Sequence, residues 1–270
     1  MLIARIQNDQ LEIIDREKEM VQIARGVRKN GQLSAVTQKR ALDCLHRFAE
    51  RLQDIPATHI RAVGTKTLRS TSRSIDFIKK AEMIIGVPIQ IISGYEEARL
   101  VYVGLSNSVV NDDKRRLVID IGGGSTEFII GEGHQPMLLE SLNMGCVSFT
   151  KRFGGKKSKG IGSQFFDAAY LNACAEIEGL RKNFRKAGWD IVYGTSGTAR
   201  AIADLTMDKD GGAVISRASL DQVVRDLLSN RKILRQVPAL RRTVLPAGIA
   251  ILKAVFDQLQ IESMHVGDYA

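Results

Sequence analysis

Residues 117–127 read Leu-Val-Ile-Asp-Ile-Gly-Gly-Gly-Ser-Thr-Glu, and no other stretch limits the fold of this chain as tightly. The apolar run Leu117 to Ile121, broken only by Asp120, has the pattern of a strand buried on both faces. It passes directly into Gly122, Gly123 and Gly124. Three residues without side chains let the backbone turn tightly and bring its N–H groups against an anion such as phosphate. Asp120 is suited to hold a hydrated magnesium ion beside that phosphate, because hard cations take oxygen ligands. Ser125 and Thr126 add hydroxyl donors. A plain glycine-rich hairpin whose aspartate caps a turn is the simpler alternative. The co-occurrence of strand, acid, triple glycine and hydroxyls favours phosphate binding.

The rest of the chain alternates strands and helices around this element, which predicts an α/β protein with mixed sheets. Leu2 to Ile6 and Leu11 to Ile14 read as two strands joined at Asn8-Asp9. Ser34 can cap a helix running to about Leu52, with Ala41, Cys44, Leu45, Phe48 and Leu52 as its apolar stripe. A strand over 59–63, a helix over 74–85 stopped by Gly86 and Pro88, a strand over 89–92 and a short helix over 94–103 follow. The polar stretch 106–116 is taken as the boundary between two domains, 1–108 and 109–270. Beyond the triple glycine come strands over 127–130 and 137–141, and Cys146 sits in an apolar, strand-like run. Lys151 to Gly162 reads as a basic glycine loop. Helices are expected at about 163–187, 196–206, 219–229 and 245–259, with strands at 190–193 and 264–266.

The 270 residues suffice for two modest domains with real cores, and 44% hydrophobic against 26% charged residues is ordinary globular composition. No run of about 18 apolar residues exists, so no membrane span is expected. The opening MLIARIQNDQ lacks the marks of a signal peptide. Cys44, Cys146 and Cys174 lie far apart and in none of the usual metal-ligand spacings. Reduced thiols and a cytoplasmic location are therefore expected. The net charge of +9 attracts anionic partners. With only 6% aromatic residues there is little material for base stacking, and no specific nucleic-acid partner is expected.

Three further motifs could carry chemistry. Tyr193-Gly194-Thr195-Ser196-Gly197-Thr198 follows a strand and opens a helix, where backbone N–H groups attract anions; a plain helix start capped by Thr195 or Ser196 is the alternative. In Ser93-Gly94-Tyr95-Glu96-Glu97-Ala98-Arg99 the paired glutamates could merely complement a helix dipole. In Gly64-Thr65-Lys66-Thr67-Leu68-Arg69 the arginine could bind phosphate or simply face solvent.

Taken together these segments resemble the exopolyphosphatase / guanosine pentaphosphate phosphatase family of the actin-like ATPase superfamily. The resemblance is carried by IIDREKEMV (13–21), VGTKTLR (63–69), ISGYEEARL (92–100), VIDIGGGSTE (118–127), ESLNMGCVSF (140–149) and GTSGTARAI (194–202). It implies two actin-like (ribonuclease H-like) α/β domains with the site in the cleft between them, and hydrolysis of a terminal phosphoanhydride. Glu97 matches the family's catalytic base and Asp120 its magnesium-associated aspartate. Gly122, Gly123, Gly124, Ser125 and Thr126 match the second phosphate loop, and Glu127 an acidic neighbour that positions water or metal. Arg69 matches a phosphate-contacting arginine, while Gly197 and Thr198 fall in the third glycine-rich turn. The implied substrate is inorganic polyphosphate, or guanosine pentaphosphate, and the implied assembly a homodimer. Lys151, Arg152, Lys156, Lys157 and Lys159 are candidates for a polyanion-binding groove.

Two departures accompany the resemblance. Family members open with a strand carrying Asp-x-Gly-Ser-Asn-Ser, the first phosphate loop, immediately before the segment matching Met1 to Ile6; here the chain begins after it. The first domain is therefore expected to lack its N-terminal strand, leaving two neighbours without a shared ladder partner. At the other end, the family's Ser-Asp-Gly-Ala-Leu-Arg-Glu-Gly is replaced by Gly267-Asp268-Tyr269-Ala270. A fragment or a binding-only relative is one expectation that follows. A sugar- or acetate-type kinase of the same superfamily is a further alternative.

Overall fold

Strand-forming and helix-forming segments alternate along the chain much as their periodicity predicts. The computed structural model describes residues 1–7, 10–28, 30–71, 74–110, 112–154, 162–206, 214–230 and 232–267. They group into two compact units, Met1–Ile91 and Ile92–Ala270.

In the first unit, β1 (Leu2–Gln7) and β2 (Gln10–Arg16) form an antiparallel pair. The Asn8-Asp9 turn lies outside the described residues. Helix α1 (Ala35–Leu52) begins where Ser34 accepts a hydrogen bond from the Thr37 backbone N–H at 3.3 Å, as its capping chemistry predicts. Next come β3 (Ala62–Gly64), α2 (Lys66–Arg69), α3 (Ile75–Ile85) and β4 (Ile89–Ile91). Gly86 ends α3 at φ +74°, a left-handed conformation that favours glycine. Leu33 and Ala41 pack with Phe77 of α3 into a small core. Arg51 of α1 reaches Asp15 at 2.9 Å and Glu17 at 2.7 Å, tying β2 to that core.

Strand β3 pairs in parallel with β4, and among the described residues β1 pairs only with β2. Among the described residues this half thus holds two separate two-stranded sheets. Leu2, Ile6, Ile13, Ile14 and Val63 are exposed on them.

The second unit opens with α4 (Gly94–Ser106) and an antiparallel meander of β5 (Arg115–Ile121), β6 (Thr126–Glu132) and β7 (Gln135–Leu142). It continues through α5 (Cys146–Phe153), α6 (Ser163–Ala187), β8 (Ile191–Gly194), α7 (Gly197–Thr206), β9 (Val214–Ser216), α8 (Arg217–Ser229), α9 (Ala239–Arg242), α10 (Leu245–Leu259) and β10 (Ser263–Val266). The sheet order is β7-β6-β5-β8-β10-β9, with β5, β8 and β10 parallel and both edges antiparallel. The mixed α/β class is thus as expected.

Alternation along β5 explains its position at the heart of the sheet. Leu117, Ile119 and Ile121 join the large core with α6, α7 and α10. Val118 faces the other way, packing with Ile129, Leu139 and the α4 residues Ala98, Tyr102 and Leu105. This packing puts α4 in the second unit. The polar stretch 106–116 is internal to that unit, and Arg116 within it is buried, donating to the carbonyls of Gly133 and Val110 and paired with Asp112. Among the described residues no helix is long and apolar enough to cross a membrane.

The segment opening at Cys146 differs from the sequence reading. Cys146 opens a helix, α5, not a strand, and Lys151 and Arg152 form its last turn instead of a loop. The β-branched and aromatic residues of CVSFTKRF favour a strand locally, but Cys146, Val147 and Phe149 lie on the buried face of a helix packed on α10. Lys156, Lys157 and Lys159 lie outside the described residues.

Candidate active site

Register alone brings two of the acids together. Asp120 of β5 stands directly opposite Glu127 of β6, and Glu127 stands opposite Ser141 of β7. Directly opposed residues of an antiparallel pair share a face. The same face carries α4, whose first turn contains Glu97. Ser93 caps that turn by accepting from the Glu96 N–H at 3.1 Å. Glu96 turns aside to a bidentate pair with Arg99, at 2.8 and 2.7 Å. The two adjacent glutamates therefore do different work, and only Glu97 joins the cluster.

Glu127 is 1% exposed, and its carboxyl is pushed up to about 8. Burial is the main cause, followed by the charges of Glu97 and then Asp120; hydrogen bonds from Ser125 and Ser141, the latter at 2.9 Å, oppose the rise. At neutral pH Glu127 is largely protonated. The folded state keeps a proton that the unfolded chain loses near 4.5, so metal-free stability falls as pH rises from there to about 8. Glu127→Gln is expected to remove this slope. In melting curves taken in chelator, the variant should gain on the parent by about 1 kcal/mol per pH unit across that window; parallel curves would refute the assignment.

The triple-glycine turn is held from one side. The Gly122 N–H closes it onto the Ser125 carbonyl at 2.9 Å. The Gly122 carbonyl accepts from Cys146 N–H at 3.0 Å, and that of Gly123 from Val147 and Ser148 at 2.9 and 3.0 Å. The N-terminus of α5 thus grips the loop carbonyls. Thr126, fully buried, donates its hydroxyl to the Met144 carbonyl at 2.7 Å. Its one hydroxyl hydrogen is thereby committed, and Ser125 is turned to Glu127.

The third turn leads into α7. Ser196, not Thr195, is the cap, accepting from Ala199 N–H at 3.1 Å. Arg241 of α9 donates to the Gly197 carbonyl at 2.7 Å, and a Cβ on Gly197 would lie 2.4 Å from the same guanidinium. The Thr198 hydroxyl lies 3.7 Å from Cys146 Sγ, linking this turn to the start of α5. Arg241 escaped the sequence reading, because nothing in a lone arginine so far along the chain marks it as the partner of Gly197. Arg69 ends α2 within the first unit.

Among the described residues no three His, Cys, Asp or Glu side chains are set to chelate an ion. Asp120, opposed to Glu127 across the β5–β6 pair, could offer one carboxylate to a cation that keeps most of its waters, as magnesium commonly does.

A six-stranded mixed sheet in which Asp120 and Glu127 stand opposed, with Glu97 on the covering helix α4 and a glycine turn gripped by α5, defines a mixed-sheet α/β protein. The chain belongs to the Ppx/GppA phosphatase family, whose model matches residues 2–270. It is 38% identical over 268 residues to a guanosine-5'-triphosphate,3'-diphosphate pyrophosphatase of Vibrio vulnificus, covering 98% of this chain and 53% of the relative. The chain thus spans about half the length of the curated relative it matches. Its fold is similar to an exopolyphosphatase from Cytophaga hutchinsonii, with a TM-score of 0.86 at 23% identity over 98% of this chain and 89% of that one. A PPX-GPPA enzyme of Aquifex aeolicus gives 0.78 at 22% identity, over 99% and 91% of the two chains.

Proposed function

We propose that this chain carries the hydrolytic centre of an exopolyphosphatase-type enzyme that releases terminal orthophosphate from inorganic polyphosphate. The convergence of Glu97, Asp120 and Glu127 on the glycine turn after β5 is the observation that supports it. The glycine turn receives the terminal phosphate, its free N–H groups facing the anion because its carbonyls are held by α5. Glu97 accepts a proton from the attacking water as the water oxygen bonds to phosphorus and the anhydride P–O bond breaks. Glu127, protonated, can donate a hydrogen bond without adding a third negative charge. Asp120 would hold magnesium, which when bound supplies charge neutralisation at the phosphate. Lys151 and Arg152 would attract the rest of the polyanion. A reducing cytoplasm suits the three free cysteines.

Guanosine pentaphosphate is the second reading, favoured by the name of the Vibrio vulnificus relative. The two are separated by measuring orthophosphate release from long-chain polyphosphate and from guanosine pentaphosphate, each with magnesium and with chelator. Faster release from polyphosphate, lost in chelator, is the expected result. Preference for the nucleotide would install the second reading. Binding of either polyanion with no release, from protein shown folded by circular dichroism, would reduce the chain to a binding relative.

A further inference from the structure

Thr195 lies between β8 and α7, and its backbone N–H donates to the Ile119 carbonyl at 3.2 Å. That bond completes the Ile119–Gly194 pair, the last of the β5–β8 ladder. Neighbours in register on parallel strands face the same side. Val118 and Tyr193, one alternation earlier, do so in the cluster under α4. Thr195 follows Gly194 as Asp120 follows Ile119, so the register sets these two residues side by side at the ends of the central strands.

The side chain is 7% exposed, and its hydroxyl is buried with no hydrogen-bond partner among the described residues. The surrounding hydroxyls are all engaged: Ser196 with Ala199, Thr198 with Cys146, Thr126 with Met144, Ser125 with Glu127. A buried hydroxyl left unsatisfied costs free energy, and native proteins rarely tolerate one unless something outside the chain completes it. A β-branched side chain has few rotamers by which to escape. A valine would fill the same space without that cost, so the hydroxyl itself calls for a ligand.

We propose that the Thr195 hydroxyl is a binding group of the site, accepting a hydrogen bond from a water in the shell of a divalent cation anchored at Asp120. The inference rests on the metal reading above and adds a residue to it. A hydrated cation keeps several waters whose hydrogens need acceptors, and a hydroxyl beside the anchoring carboxylate supplies one. The phosphate then reaches the cation from the glycine-turn side.

The test uses the nearly isosteric Thr195→Val, with Thr195→Ser as the conservative control, and magnesium alone as the probe. Melting temperature is read without metal, and magnesium affinity by titration calorimetry. The expected result is an unchanged or higher melting temperature for metal-free Thr195→Val, with magnesium bound about five- to tenfold more weakly, the loss of about one hydrogen bond. Thr195→Ser should bind like the parent. Equal magnesium affinity in parent and valine variant would overturn the role of Thr195 and leave the metal reading standing. A lower metal-free melting temperature in the valine variant would also overturn it, since the hydroxyl would then have a partner within the fold. A parent that binds no magnesium would remove both readings at once.

Discussion

Glu97→Gln is expected to reduce orthophosphate release by about 10²–10⁴-fold, the usual contribution of a positioned general base, while circular dichroism and melting temperature stay near those of the parent. The substitution keeps the shape of the side chain and removes only its proton affinity. The first turn of α4 is held independently, by the Ser93 cap and the Glu96–Arg99 pair, so the backbone has no reason to move. A second readout separates catalysis from structure. Because the Glu97 charge helps push Glu127 up to about 8, its removal should lower the Glu127 titration midpoint, visible by carbon NMR of the carboxyl. Undiminished release, or an unmoved Glu127, would exclude Glu97 from the cluster's chemistry.

Gly145→Ala should have the second largest effect, through contact and not through charge. Gly145 precedes α5, and a Cβ there would lie 2.5 Å from the Gly123 carbonyl carbon and the Gly124 nitrogen, and 2.6 Å from the Gly123 oxygen. These are backbone atoms of the triple-glycine turn, and no rotamer change relieves the clash. The loop would be pushed off the N–H groups of Cys146, Val147 and Ser148 that hold its carbonyls. A loss of about 1–3 kcal/mol of stability is expected from such overpacking, with phosphate affinity falling roughly tenfold or more for each 1.4 kcal/mol of lost loop alignment. Gly179→Ala on α6 is the matching control. Nothing lies within 4 Å of its Cβ position, and the better helix former should add about 0.5–1 kcal/mol. Urea unfolding of the two variants, with tripolyphosphate affinity measured beside it, checks both signs. A Gly145→Ala protein that binds phosphate like the parent would show the loop to be free of α5.

Much of the second unit was legible because its signals are local. A doubly buried strand ending in glycines announces β5 at any register, and α6, α8 and α10 carry apolar patterns long enough to read. Ser34 and Gly86 mark helix ends by side-chain and backbone chemistry confined to a few residues. Segment α5 was illegible for the opposite reason. Its β-branched and aromatic content favours a strand, and only burial against α10 and the bonds to Gly122 and Gly123 turn it into a helix.

The same division runs through the site. Residue types and spacing by themselves marked out the triple-glycine turn, its preceding aspartate and the paired glutamates as candidates, since each motif is short and its chemistry local. Tertiary structure alone decided which glutamate of the pair joins the cluster and why Glu127 holds a proton. It alone committed the Thr126 hydroxyl to Met144 and left that of Thr195 unsatisfied beside Asp120. Those outcomes depend on strand register and on the distance between charges far apart in the chain. Burial then turns small differences in position into large differences in protonation and hydrogen bonding, because little water remains to level them.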